Sequence, residues 1–123
     1  MPEKKIRVLV ADDEKIVRDF FSRLLSLQGL EVVCAEDGYK AVELAQKSSF
    51  ELFFLDVKMP GLDGLETFRK IREINPNAVV VMMTGYAVED ILEQAGKEGA
   101  YGSIRKPFDI SEIKDIVDKV GKE

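Results

Sequence analysis

The chain has 123 residues, 46% of them hydrophobic, with 23 acids against 18 bases and a net charge of −5. That length suits one domain with a single core, and an acidic balance without a basic stripe argues against nucleic-acid binding. There is no histidine and only one cysteine, which excludes a phosphohistidine on this chain, imidazole catalysis and an internal disulfide.

The first apolar run, Ile6 to Ala11, leads into Asp12-Asp13-Glu14. It is too short for a signal-peptide core, and no window reaches the length of a membrane span. The expectation is therefore a cytoplasmic protein with no membrane partner. Ile16, Val17, Phe20, Phe21, Leu24, Leu25 and Leu27 follow with helical spacing. They cover about 180° of the helix, wider than the roughly 100° that packing on a core requires. The simpler reading is a broad core face; the alternative leaves Ile16 or Phe20 exposed as an apolar patch. Next comes Val32-Val33-Cys34-Ala35, a strand in which Cys34 reads as a small buried hydrophobe.

Glu51 to Leu55 runs into Asp56, and Ala78 to Met83 runs into Thr84. Near-continuous apolar runs of this kind are expected of central strands covered on both faces. Val88, Ile91, Leu92 and Ala95 form a one-sided helical stripe, as do Ile110, Ile113, Val117 and Val120. Between these stripes, Tyr101 to Arg105 runs into Lys106-Pro107. Asp109, with Glu112 three residues later, predicts a helix N-cap and its reciprocal partner. Gly29, Gly38, Gly61, Gly64, Gly85 and Gly99 fall between periodic segments, as does Pro76. The basic clusters Lys4-Lys5-Arg7 and Lys119 with Lys122 read as solvated ends.

Apolar runs and helical patterns alternate five times, which predicts βα units and a mostly parallel sheet. Parallel strands place the residues that end them on one rim, where open α/β sheets hold their ligands. Asp12, Asp13, Asp56, Thr84 and Lys106 would then converge. Adjacent carboxylates form a hard oxygen site of the kind Mg²⁺ prefers, although acids at a helix start also serve as caps. A carboxylate ending a buried strand is costly unless paired or metal-bound, and a carboxylate can attack phosphorus to give an aspartyl phosphate. Asp56 is the candidate nucleophile, with capping of the Lys58-Met59-Pro60-Gly61 turn as its alternative role. Thr84 supplies a hydroxyl and Lys106 a fixed positive charge for phosphoryl oxygens. Pro107 holds Lys106 to an extended backbone.

Asp12-Asp13, Asp56 within D-V-K-M-P-G-L-D-G, Thr84-Gly85 and Lys106-Pro107-Phe108, in that order and spacing, resemble the receiver domain of two-component response regulators. The resemblance implies a single-domain (βα)₅ doubly wound α/β fold, flavodoxin- and CheY-like, with strand order 2-1-3-4-5. It extends over residues 1–123 as one receiver without an output domain. It further implies that Asp56 accepts a phosphoryl group from a partner's phosphohistidine, supplied by a sensor histidine kinase or a histidine phosphotransferase. Asp13, Asp56 and the backbone carbonyl of Lys58 would hold Mg²⁺, or Mn²⁺ in its place, with Asp12 acting mainly through water. Lys106 would pair with Asp56 or the phosphoryl oxygens. Thr84 would report phosphorylation to the face made by the last strand and its flanking helices. Such a module is a monomeric phosphoacceptor that catalyses its own phosphorylation and dephosphorylation, not a conventional enzyme.

Two positions refine that reading. The family commonly carries an aromatic residue three positions before the lysine; here it is Ser103, with Tyr101 nearby. Lys58 and Tyr86, two residues after Asp56 and Thr84, lie where the family flanks the acyl phosphate; a long lysine and an aromatic ring there should hinder an attacking water. With K-P-F-D-I-S-E-I near the C-terminus, they are most similar to a stand-alone sporulation-phosphorelay receiver. Competing readings are an aspartate-nucleophile phosphohydrolase, which expects its nucleophile after the first strand, and a flavodoxin-like nucleotide binder, whose phosphate the Asp12-Asp13-Glu14 acids would repel. A receiver-like module acting without phosphorylation is the third.

Overall fold

The strand residues alternate between two faces with a period of two, and both faces are apolar, so this sheet must be covered on both sides. In the computed structural model, which describes residues 6–85 and 89–121, it is. The elements are β1 (Arg7–Ala11), α1 (Lys15–Leu27), β2 (Glu31–Ala35), α2 (Gly38–Lys47) and β3 (Leu52–Asp56). They continue with α3 (Gly64–Ile74), β4 (Val79–Thr84), α4 (Glu89–Lys97), β5 (Gly102–Arg105) and α5 (Ile110–Gly121). All pairings are parallel and the strand order is β2-β1-β3-β4-β5, as expected from the sequence. Lys4, Lys5, Tyr86, Val88 and Lys122 lie outside the described residues.

Leu9, Ala11, Phe53, Leu55, Val80 and Met82 face one layer, where Ala41, Ala45, Phe68, Ile71 and Ala95 of α2, α3 and α4 cover them. Val8, Val10, Leu52, Phe54, Val81 and Met83 face the other, against Val17, Phe21 and Leu25 of α1 and Ile113, Val117 and Val120 of α5. Every residue of β3 is buried, whereas in the edge strand β5 only Ile104 is. Burial on that scale, at roughly 25 cal/mol per Å² of apolar surface, is what fixes the central strands and hence the rim they end on.

Three expectations need correction. Gly38 and Gly64 do not separate elements; they open α2 and α3, because a Cβ at Gly38 would overlap Thr67 Oγ1 and one at Gly64 the Asp56 carbonyl oxygen. Asp109 does cap the start of α5, but without the reciprocal bond from Glu112. There the carboxylate is taken by the Ser111 N–H at 2.9 Å and the Ser111 hydroxyl at 2.7 Å. The reciprocal pair is Asp63 with Glu66, which caps α3 directly after the Asp56 loop. Finally, α1 is not a wholly buried broad face. Val17, Phe21 and Leu25 are buried, but Ile16 and Leu27 are 76% and 82% exposed.

Candidate phosphoacceptor site

Register sets the site. Ala11 lies opposite Leu55, so Asp12 and Asp56 leave β1 and β3 at the same level. Asp56 lies opposite Met83, which puts Thr84 one step further along the rim. Thr84 lies opposite Arg105, and its carbonyl accepts the Lys106 N–H at 2.8 Å. The sheet therefore presents Asp12, Asp56, Thr84 and Lys106 on one edge, as the sequence predicts.

Asp12 is fully buried and held by its backbone. Its N–H donates to the Ala35 carbonyl at 3.1 Å, and its own carbonyl accepts from Arg18 Nη1 at 2.8 Å. Oδ1 accepts the Glu14 N–H at 2.9 Å. Oδ2 is buried without a well-directed hydrogen bond, although the Lys106 ammonium lies 2.9 Å away. Asp13 is exposed. Asp56 is 5% exposed, and its Oδ1 accepts the Lys58 N–H at 3.3 Å, so it braces the turn as well as facing the site. Burial, and then the neighbouring Asp12 charge, push the Asp56 carboxyl up to about 6, against the pull of Lys106. Thr84 is buried.

Lys106 Nζ sits among three carboxylates: Asp12 Oδ2 at 2.9 Å, Glu14 Oε1 at 3.3 Å and Asp56 Oδ2 at 3.4 Å. Its nearest partner is Asp12, not Asp56. Burial alone would lower the ammonium pKa, but the surrounding carboxylates outweigh it and hold it above the ordinary lysine value. The Lys106–Pro107 peptide bond is cis. The next residue, Phe108, anchors this loop on α1, stacked on Phe20 at 5.8 Å and edge-on to Phe21 at 5.1 Å.

Each of Asp12, Asp13 and Asp56 offers a carboxylate oxygen, and these lie within 4.8 Å of one another. Hard oxygens at that spacing fit a divalent cation such as Mg²⁺. The pair of buried carboxylates, Asp12 and Asp56, fits it too, because one ammonium, Lys106, is shared between them and buried negative charge is costly without further compensation. Sequence reasoning missed Glu14 as a partner of Lys106, 92 residues away, and missed Arg18, whose guanidinium holds the Asp12 carbonyl. Neither contact has a local sequence signal.

Residues 8–118 match the family model for the response regulator receiver domain. The chain belongs to this family. The receiver is 33% identical over 113 residues to sporulation initiation phosphotransferase F of Bacillus subtilis, covering 92% of this chain and 91% of that one. It is 34% identical to regulatory protein AtoC of Escherichia coli, but spans only 24% of that regulator's length. A CheY-like receiver from Methanospirillum hungatei superposes with a TM-score of 0.91 at 26% identity, covering 97% of this receiver and 96% of that chain. A response regulator from Burkholderia pseudomallei, solved with a phosphorylated aspartic acid and a calcium ion, gives 0.82 at 28% identity, covering 89% of this receiver and 64% of that chain. Among the described residues no helix is long and apolar enough to cross a membrane.

Proposed function

We propose that this receiver is a Mg²⁺-dependent phosphoacceptor and that Asp56 is the residue phosphorylated. The observation that carries the reading is the meeting of Asp12, Asp13 and Asp56 within 4.8 Å, with Lys106 bridging Asp12 and Asp56. An Asp56 Oδ attacks phosphorus and forms the acyl-phosphate bond. The donor's P–N bond breaks, and its electron pair stays on the departing imidazole nitrogen, which takes up a proton from solvent. Asp12, Asp13, Asp56 and the Lys58 carbonyl would hold the cation. When bound, it supplies positive charge that offsets repulsion between the anionic nucleophile and the phosphoryl group. Lys106 neutralises the oxygens on the other side, and Thr84 donates its hydroxyl to them.

The donor is a phosphohistidine on a sensor kinase or histidine phosphotransferase, since the chain has no histidine of its own. Likeness over nine-tenths of a sporulation phosphotransferase favours a relay role, in which the phosphoryl group passes on to a histidine of a second protein. The exposed face of α1 supports docking of such a partner. Ile16, Val17, Phe20, Pro107 and Phe108 line an apolar groove of about 360 Å³ with Lys106 and Glu14 at its mouth. A properly folded Phe20→Ala variant should receive the phosphoryl group from its partner several-fold more slowly; transfer at the wild-type rate would remove this face as the dock.

Intact mass after incubation with acetyl phosphate tests the central claim. Wild type should gain roughly 80 Da, one phosphoryl group, only with Mg²⁺ present, and Asp56→Asn should gain nothing. The phosphorylated form should be long-lived, because Lys58 and Tyr86 stand two residues after Asp56 and Thr84 in the sequence, the positions that in this family flank the acyl phosphate. Replacing Lys58 with Asn and Tyr86 with Glu should hasten its decay; an unchanged rate would count against that role.

A further inference from the structure

Lys106 carries three N–H donors and meets three carboxylates, but only two of the three belong to the cation cluster. Asp12 and Asp56 are in that cluster; Glu14 is not. Glu14 is the N-cap residue of α1, yet its side chain makes no capping hydrogen bond. The carboxylate forgoes the helix N-terminus, where an acid is ordinarily favoured, and reaches instead to Lys106 Nζ at 3.3 Å. It remains 57% exposed, while Asp12 and Asp56 are 0% and 7% exposed at the side chain. The ammonium is thus shared between two buried acids and one acid in the mouth of the site.

We propose that Glu14 is a positioning residue that draws Lys106 outward and so competes with the phosphoryl group for its ammonium. This rests on the reading of Asp56 as phosphoacceptor. Asp12 and Asp56, which would hold a divalent cation, would be partly neutralised by it and so hold Lys106 less strongly. Glu14 keeps its full charge and its hold. Its share of the ammonium rises just as the site is loaded, when Lys106 is needed at the phosphoryl oxygens. Glu14 also places a negative charge in the groove that Lys106 lines, on the approach of an anionic donor. Glu14 therefore slows charging of the receiver and sets the strength of the Lys106 contact.

The test is Glu14→Gln, which keeps the shape and removes the charge, with Glu14→Asp as the shortened acid. In metal-free protein, acetylation of Lys106 by an amine-reactive reagent is measured by peptide mass spectrometry against Lys47 and Lys97 in the same sample. Glu14→Gln should raise Lys106 labelling about two- to fivefold, the scale of a partly exposed ion pair. With Mg²⁺, the second-order rate constant for phosphorylation by acetyl phosphate should rise by a similar factor, while Mg²⁺ affinity stays within about twofold. Glu14→Asp should share the labelling gain but only part of the rate gain, since it loses the contact and keeps the charge. Unchanged labelling, or slower phosphorylation in Glu14→Gln, overturns the proposal; the latter would mean that Glu14 holds Lys106 in place for the reaction. If wild type itself takes no phosphoryl group, the phosphoacceptor reading has failed, and the labelling experiment still judges the Glu14 contact alone.

Discussion

The two ends of the sheet rim are built differently. At β1 and β3, Asp12 and Asp56 emerge from strands that are almost wholly buried, and their backbones are fixed by register, by the Arg18 guanidinium and by Gly64 packed on the Asp56 carbonyl. At the outer edge, β5 exposes three of its four residues, Ser103 among them, and Tyr101 just before it is 44% exposed. The carboxylates are thus positioned by packing that tolerates little change, whereas the outer edge is only loosely specified. Chemistry and signalling can vary separately in such a molecule.

The contrast breaks first in the core. Phe54→Ala, which removes a buried ring 5.0 Å from Phe21, should cost about 3–5 kcal/mol in urea unfolding, against no more than about 0.5 kcal/mol for Tyr101→Ala. Asp56→Asn should act in the opposite direction. The Asp56 carboxyl is raised from 3.8 to about 6 in the folded protein, so the folded state binds its proton more tightly than the unfolded chain. Its ionisation therefore costs stability above pH 6, and that cost fades as pH falls through 6 toward 4. Without metal, Asp56→Asn should gain on the order of 2 kcal/mol at pH 7 and little at pH 4. Thermal melts at the two pH values compare them, and Mg²⁺ should shrink the gap by stabilising wild type alone.

Two glycines sharpen the comparison at smaller scale. Gly64→Ala forces a methyl group against the Asp56 backbone and should cost about 1–3 kcal/mol while slowing phosphorylation. Gly96→Ala, in α4 with nothing near the added carbon, should be neutral or stabilising by up to about 1 kcal/mol and leave the rate unchanged. The smallest effect is expected of Ser103→Tyr. Stability within about 0.5 kcal/mol of wild type and a phosphorylation rate within about twofold would place Ser103 outside the chemistry; a larger change in rate would tie the edge to the rim after all.

Much of this was legible in the sequence because strong signals agreed. Continuous apolar runs ending in Asp56 and Thr84 named the central strands and parallel pairing put their ends on one rim, while the order of the strands came from the resemblance to receiver domains. What escaped depended on competition between neighbours. Asp63 and Asp109 both have a glutamate three residues on, but Ser111 supplies a hydroxyl and an N–H that take the Asp109 carboxylate, while Leu65 supplies no such side chain near Asp63. The width of the apolar stripe on α1 did not show that Phe108 would pack on the rings of Phe20 and Phe21 while Ile16 and Leu27 stay exposed. The choice of Asp12 as the nearest partner of Lys106 is a matter of a few tenths of an ångström among three acids, beyond any spacing rule.

The Lys106 contact joins the first strand of the sheet to the last. Asp12 directly follows β1, but its counter-ion and the Phe108 ring that anchors the lysine's loop follow β5. A nascent receiver can lay β1, β2 and β3 side by side while Asp12 and Asp56 still lack the ammonium that balances them. The ammonium that balances Asp12 and Asp56 is therefore in place only once β5 and the residues that follow it have been made.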